Sequence, residues 1–142
     1  MFRNKFFSII IATLVCLTLS VTLCGCSGEP LNPEEEYQLW IDSQFGWDGA
    51  HKTLEELIID NLNDEESYKH IETNYIEITD DGIKEEINDA LKADGYSNRV
   101  EINDLVIMTE FSADNVFGGT VKSMAIGISS YSDNIITLIT IE

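Results

Sequence analysis

Apolar residues recur at helical spacing in two stretches that follow the first thirty residues. In the first stretch, the residues that share one helical face are Tyr37, Trp40, Ile41 and Phe45. Asn32 before Pro33 predicts the start of this helix, because Asn accepts backbone N–H groups and Pro suits the first helical position. In the second stretch, the apolar stripe is Leu54, Leu57, Ile58 and Leu62. The pattern predicts two helices, the second capped by Asp48 and ending near Leu62.

The pattern then changes to alternation and β-branched residues. A strand of mixed period is predicted from Ile71 through Tyr75 to either Ile76 or Ile78. Within residues 81–98 the spacing becomes helical again, with an apolar stripe of Ile83, Ile87, Ala90 and Leu91. This segment predicts a short helical insertion that ends near Gly95.

Three further strands are predicted over residues 100–113, 120–130 and 135–141, which are rich in β-branched side chains. Turns at 118–119 and 132–134 join them, and strands joined by short turns pair in antiparallel fashion. The sequence therefore predicts an α+β fold. One or two N-terminal helices pack on one face of a small antiparallel β-meander, which carries the helical insertion.

The N-terminus has the three-part order of an export signal. Arg3 and Lys5 make a short positive start, and an apolar run follows over residues 6–23. The run ends in Leu23-Cys24-Gly25-Cys26, which resembles a lipobox, the sequence at which bacterial lipoprotein precursors are lipidated and cut. Leu23 supplies the apolar position of the motif, and Gly25 supplies the small residue before the cut.

The resemblance to a lipobox implies three regions: a signal peptide over 1–25, a tether over 26–31 and a single domain over 32–142. Cys26 would carry the lipid, including palmitate, and would hold the protein at the cell membrane or outer envelope. The alternative is an uncleaved membrane anchor, since the apolar run approaches the roughly 20 residues that a spanning helix needs. Both readings place the folded domain outside the cytoplasm.

Cysteine and charge exclude several classes of protein. Cys16 and Cys24 would leave with the signal peptide, so the mature domain would have no disulfide, catalytic thiol or Cys-ligated zinc. Without Arg3 and Lys5 the 8 basic residues fall to 6, against 26 acidic ones, a formal charge of −20. Nucleic acid is not expected as a partner, because phosphate binding needs a basic surface. A basic protein or peptide suits this charge better.

From Gln44 onward the chain resembles a family of small exported or lipid-anchored bacterial proteins. The resemblance rests on residues 44–51 (QFGWDGAH), 63–73 (NDEESYKHIET) and 115–122 (NVFGGTVK). The family looks like a helix followed by an antiparallel sheet, and no activity is established for it. Members of the family look basic just before the last motif, where this chain has Ser112 and Asp114. In addition, residues 81–98 form a helical insertion where members have a simple turn between strands.

Candidate binding residues fall in the first and last of these motifs. Asp48 and His51 are three residues apart at a helix start, which suits either a helix cap or an acid–imidazole pair for proton transfer. Trp47 stands at a break between helices. It belongs to an aromatic group with Tyr37, Trp40 and Phe45, which either lines a groove for a peptide or sugar or packs a helix on the sheet.

Asn115 and Phe117 belong to a predicted hairpin connection in which Gly takes positive φ. A binding loop is the alternative at this position.

Metal and cofactor sites are not expected from the sequence. Residues 60–64 and 80–82 are rich in oxygen ligands but lack the spacing of a calcium-binding EF-hand loop, and His70 reads as structural. We expect a non-catalytic, lipid-anchored binding domain. The alternatives are a small envelope enzyme that uses Asp48 and His51, or an inhibitor or immunity-type protein that acts on a basic partner.

Overall fold

A computed structural model describes residues 30–142 of the chain. The predicted signal peptide, Cys26 and most of the predicted tether lie outside the described residues. Leu31–Glu142 is one compact unit with its own hydrophobic core. A unit with a complete core is expected to fold by itself.

The helices follow the predicted order. They are α1 (Pro33–Gln44), α2 (Lys52–Ile59), a 3₁₀ helix (Glu65–Ser67) and α3 (Asp81–Ala93). None of the helices within residues 30–142 combines the length and apolar character needed to cross a bilayer. The second helix was predicted to end near Leu62, but α2 ends at Ile59, where a polar segment begins.

The four strands are β1 (Lys69–Glu77), β2 (Leu105–Asp114), β3 (Thr120–Ser130) and β4 (Ile135–Ile141). They form one sheet in the order β1-β2-β3-β4, and all neighbours are antiparallel. The α+β class and the antiparallel meander are therefore confirmed.

The start of α1 follows from three residues near its first turn. The Asn32 side chain accepts the Glu35 N–H at 2.9 Å, and the Glu35 carboxylate accepts the Asn32 N–H at 3.1 Å. This reciprocal pair satisfies two donors that a helix end otherwise leaves free. Pro33 occupies the first helical position, as predicted.

Helices cover both faces of the sheet rather than one. α1 and α2 supply Ile41, Leu54 and Ile58 to a cluster with Leu105 and Ile107 of β2. On the other face, α3 packs on every second residue of the same strands, in a cluster of Ile78, Ile87, Leu91, Val100, Val106 and Ile128. The expectation of helices on one face holds for α1 and α2, whereas the inserted α3 covers the opposite face.

The predicted strand over 100–113 begins late, at Leu105. Asp104 accepts the Glu101 N–H at 2.8 Å through one carboxylate oxygen and the Tyr131 N–H at 3.0 Å through the other. The first bond folds residues 101–104 into a turn in which Asn103 has a φ of 73°. The β-branched residues before Asp104 therefore lie outside the ladder.

Candidate functional site

Trp47 stands at the tip of a turn whose backbone is closed by short-range hydrogen bonds. The Gly46 N–H donates to the Ala50 carbonyl at 2.8 Å, and the Gly49 N–H donates to the Gly46 carbonyl at 3.1 Å. Gly49 has a φ of 81°, which favours glycine. The Asp48 side chain accepts the Ala50 N–H at 3.2 Å. This turn, Gly46–Gly49, is called the Trp47 turn below, and its indole is 100% exposed.

Phe117 stands at the tip of a second turn with a similar construction. The Asn115 side chain accepts the N–H groups of Phe117 and Gly119, each at 3.0 Å. Its backbone N–H donates to the Gly119 carbonyl, and its carbonyl accepts the Gly118 N–H. We call residues 115–119 the Phe117 turn. It projects Phe117, which is 92% exposed, and Val116, which is 68% exposed.

His51, and not Asp48, caps the second helix. The His51 Nδ1 atom accepts the Leu54 N–H at 3.2 Å. Asp48 lies in the loop that the bridge between Phe45 and His51 closes, and its carboxylate accepts the Ala50 N–H. The prediction of an Asp48 cap is therefore wrong. The Asp48 carboxylate stabilises the Trp47 turn instead.

The environment of His51 favours a neutral imidazole. The side chain is only 1% exposed, and burial lowers its pKa from 6.5 to about 4. Its Nδ1 atom must stay unprotonated to accept the Leu54 N–H, so the proton sits on Nε2. Among the described residues, Nε2 has no hydrogen-bond partner. Asp48 and His51 bind different backbone groups, and this arrangement does not make an acid–imidazole pair.

The other aromatic residues of the predicted group pack inside the fold. The ring of Trp40 lies 5.0 Å from Tyr131, and its Nε1 donates to the Asn134 side chain at 2.9 Å. The ring of Tyr37 lies 5.2 Å from Tyr131. Phe45 packs on Tyr75 with centroids 5.2 Å apart. Packing therefore accounts for three of the four aromatic residues, and Trp47 alone faces solvent.

A short segment after α2 is tied to the strand that leads into the Phe117 turn. Ser67 accepts the Asp114 N–H at 2.9 Å, directly before that turn. Burial raises the pKa of the neighbouring Tyr68 hydroxyl, and the negative charge of Glu55 raises it further. The structure places Trp47 and Asp48 in one turn, His51 at the start of the helix that follows it, and Asn115 and Phe117 in the other turn.

Asp104 and the surrounding cleft were not predicted. The cleft has a volume of about 370 Å³ and lies between the loop before β2 and the β3–β4 turn. Asp104 is buried there, and its two oxygens accept backbone N–H groups. The feature of the sequence that could have indicated Asp104 is the presence of an Asp within a run of apolar residues.

Residues 30–142 contain no group of three or more His, Cys, Asp or Glu side chains arranged to hold a metal ion. The two oxygen-rich segments serve as local caps. Asp80 accepts the Ile83 N–H at the start of α3, and Asp64 accepts the Glu66 N–H at the start of the 3₁₀ helix.

No protein-family model, curated protein or solved structure matches this chain. The family resemblance of residues 44–51, 63–73 and 115–122 therefore stays a prediction. The functional argument rests on the geometry of the two turns.

Proposed function

We propose that this chain is a non-catalytic binding domain, exported and held at a membrane surface by lipid on Cys26. In this proposal it engages a protein partner through the Trp47 and Phe117 turns. The observation that carries the proposal is the near-complete exposure of Trp47 and Phe117 on turns with fixed backbones. Trp and Phe are enriched in protein interfaces, and Trp is prominent among the residues that dominate binding energy.

The construction of the turns supports a binding role. An exposed aromatic side chain gains nothing from burial in the folded monomer. In both turns an Asp or Asn side chain and two backbone hydrogen bonds hold the chain that presents it. A turn that is ordered before binding loses little conformational entropy when a partner arrives.

The state of His51 supports a non-catalytic role over the alternative of a small enzyme. A general base works best with a pKa near the working pH and with access to substrate. His51 is buried and has a pKa of about 4, and its Nδ1 atom is occupied by the Leu54 N–H. We therefore assign it to helix capping.

Charge favours a basic partner. The formal net charge is −18 over the whole chain, and opposite charge accelerates association. An inhibitor that blocks a basic protein is the second candidate function, and this charge is the observation that favours it. Complex formation that weakens steeply between low and high salt, with loss of the partner's activity, would support the inhibitor.

Site-specific photo-crosslinking tests the binding role. A photoreactive residue replaces Trp47, Phe117 or, as a control, Leu39, which is exposed on α1 and belongs to neither turn. In the native envelope we expect one basic protein to be crosslinked from positions 47 and 117 and not from 39. Phe117→Ser should remove the adduct formed from position 47. The same adducts from all three positions would contradict the proposal.

The anchor is tested separately with Cys26→Ala. We expect this precursor to remain uncut and unlabelled by a fatty-acid analogue, because the residue whose sulfur would carry the lipid is gone. A Ser27→Ala variant is the control and should be processed normally. Normal processing of Cys26→Ala would refute the lipoprotein assignment without affecting the crosslinking result.

A further inference from the structure

The two edges of the sheet differ in how they are protected. β1, at one edge, carries Lys69, Glu72 and Glu77, and a bulge at Ile71 interrupts its pairing with β2. β4, at the other edge, reads Ile-Ile-Thr-Leu-Ile-Thr-Ile; it also contains a bulge, at Ile139, but it has no charged residue. Charges, above all lysine, and bulges are the devices by which proteins prevent edge strands from pairing with other chains.

The outer edge of β4 is open. β4 pairs with β3 on one side, and within residues 30–142 no strand lies on its other side. Every residue of β4 is at least partly exposed, and Ile135 is 59% exposed. In an antiparallel pair, alternate residues direct their backbone groups away from the partner strand. The open edge therefore offers a row of backbone donors and acceptors to a further strand.

We propose that the outer edge of β4 is a strand-addition site for an extended, uncharged segment that is flanked by Lys or Arg. The backbone groups of β4 supply the pairing, and the side chains beside the edge supply selectivity. The site is separate from the Trp47 and Phe117 turns and does not depend on the function proposed for them.

The length of the regularly paired part of β4 determines where an added strand can pair. Ile135–Leu138 pair residue for residue with β3, and a bulge then inserts Ile139. A bulge increases local twist and disrupts the ladder. The incoming segment therefore pairs first with the four residues before the bulge, and a core of about five residues covers that length.

The charges at the two ends of β4 favour a segment flanked by basic residues over a second copy of this chain. Asp133 precedes the strand and Glu142 follows it. A second copy that paired antiparallel about a two-fold axis would bring Asp133 of one chain towards Glu142 of the other at both ends. Each copy also carries a formal charge of −18. A segment with a basic residue at each end is attracted where a second copy is repelled.

The cleft beside β4 provides room for a side chain of the added strand. Its sheet side consists of Ile128, Ile135 and Thr137, and its loop side includes Glu101 and Asp133. Arg99 also lines the cleft, and its Nη1 atom donates to the Asn98 carbonyl at 2.8 Å. A Lys or Arg at the Ile135 end of the added strand would lie next to two carboxylates.

The probe is a seven-residue peptide, acetyl-Lys-Val-Thr-Val-Thr-Val-Lys-amide, titrated into ¹⁵N-labelled residues 27–142. We expect amide shifts confined to residues 133–141 and cross-strand nuclear Overhauser effects between the peptide and β4. A peptide N-methylated at alternate amides should lose binding, because it cannot donate to the edge. A Glu-flanked peptide should bind at least about tenfold more weakly.

Matched lysine substitutions at the two edges of the sheet test whether the peptide binds to the β4 edge. Thr137→Lys places a guarding charge on β4, where the residue is already exposed, and should raise the dissociation constant about tenfold or more. Ile71→Lys adds the same charge to the β1 edge and should change it less than about twofold. Ile135→Lys repeats the test at a second exposed position.

Three results would overturn the proposal. They are an absence of shifts in β4, equal weakening by Thr137→Lys and Ile71→Lys, and a dimer in sedimentation analysis with contacts between copies across β4. Phe117→Ser should bind the peptide as the wild type does, so failure of this site and failure of the Phe117 turn remain distinguishable.

Discussion

The two faces of the sheet are covered to different extents along the same strand. On the face beneath α1 and α2, Leu105, Ile107 and Phe111 of β2 are all essentially inaccessible to solvent. On the other face, Val106 is buried under α3, but Met108 is half-buried and Glu110 is exposed. α3 has 13 residues and spans about 20 Å, so it covers only one end of its face.

The two faces therefore differ in what they contribute. The face beneath α1 and α2 contributes most to stability, and the face beneath α3 leaves apolar surface accessible to solvent. The fully covered face holds the larger hydrophobic cluster. The half-covered face leaves apolar sheet surface, including Met108 and Ile126, in contact with water. Substitutions on the two faces should therefore have unequal costs, even for neighbouring residues of one strand.

The largest expected effect is that of Phe111→Ala. Phe111 is buried and packs on Tyr68 with ring centroids 5.5 Å apart. Its truncation should lower the free energy of unfolding by about 3–5 kcal/mol, because it leaves a cavity that cannot fully collapse. Met108→Ala on the opposite face is the matched control and should cost about 1 kcal/mol. Urea unfolding measures both, and the reverse order would contradict the comparison of the faces.

The next effect is a pH dependence that His51 confers on the covered face. Its pKa is about 4 in the folded chain, below the ordinary 6.5, so the unfolded chain binds more protons between these values. Stability from His51 should fall as pH decreases from 6.5 towards 4, by up to about 3 kcal/mol.

His51→Asn should remove this slope, because Asn caps a helix without titrating. Burial raises the pKa of Glu77, which adds stability at low pH that is lost as pH rises. The wild type and the His51→Asn variant both keep Glu77. Its contribution to the free energy of unfolding therefore cancels when the two pH profiles are subtracted. Urea unfolding at pH 4, 5, 6 and 7 makes the measurement, and parallel pH profiles would refute the assignment of His51.

A smaller effect is expected from Gly127→Ala on the covered face of β3. A Cβ atom there would lie 2.8 Å from the Leu54 Cδ1 atom, which is fully buried. The neighbouring leucine must shift within a packed core, at a cost of about 1–2 kcal/mol. Gly119→Ala is the control, since its Cβ would meet Asn115 only at 3.6 Å. Thermal unfolding with equal losses for both variants would contradict this packing argument.

The smallest effects on stability should come from Trp47→Ser and Phe117→Ser. Both side chains are exposed, so each change should alter the free energy of unfolding by less than about 0.5 kcal/mol. The same two variants are expected to lose the crosslinked partner. A large destabilisation by either one would show that the aromatic side chain contributes to the core.

Local signals made the start of α1 and the antiparallel sheet predictable. Asn32, Pro33 and Glu35 determine the start of α1 within four residues. The alternation of small and apolar residues in β3 likewise identified a strand that faces two environments. These features depend on neighbours in the chain, which a sequence displays directly.

Features that depend on distant contacts were missed. Asp104, which closes the turn before β2, also accepts an N–H from Tyr131, which is 27 residues away. The partial burial of Trp40 depends on where Tyr131 and Asn134 lie, which periodicity does not reveal.

The hydrogen bond from Trp40 to Asn134 has a consequence for the order of events during synthesis. The two residues are 94 positions apart, and at 5–20 residues per second about 5–20 s separate their translation. The apolar face of α1 therefore has no complete partner until almost the whole chain has been made. A chain built in this way completes the packing of its first helix only when nearly all of its residues have been synthesised.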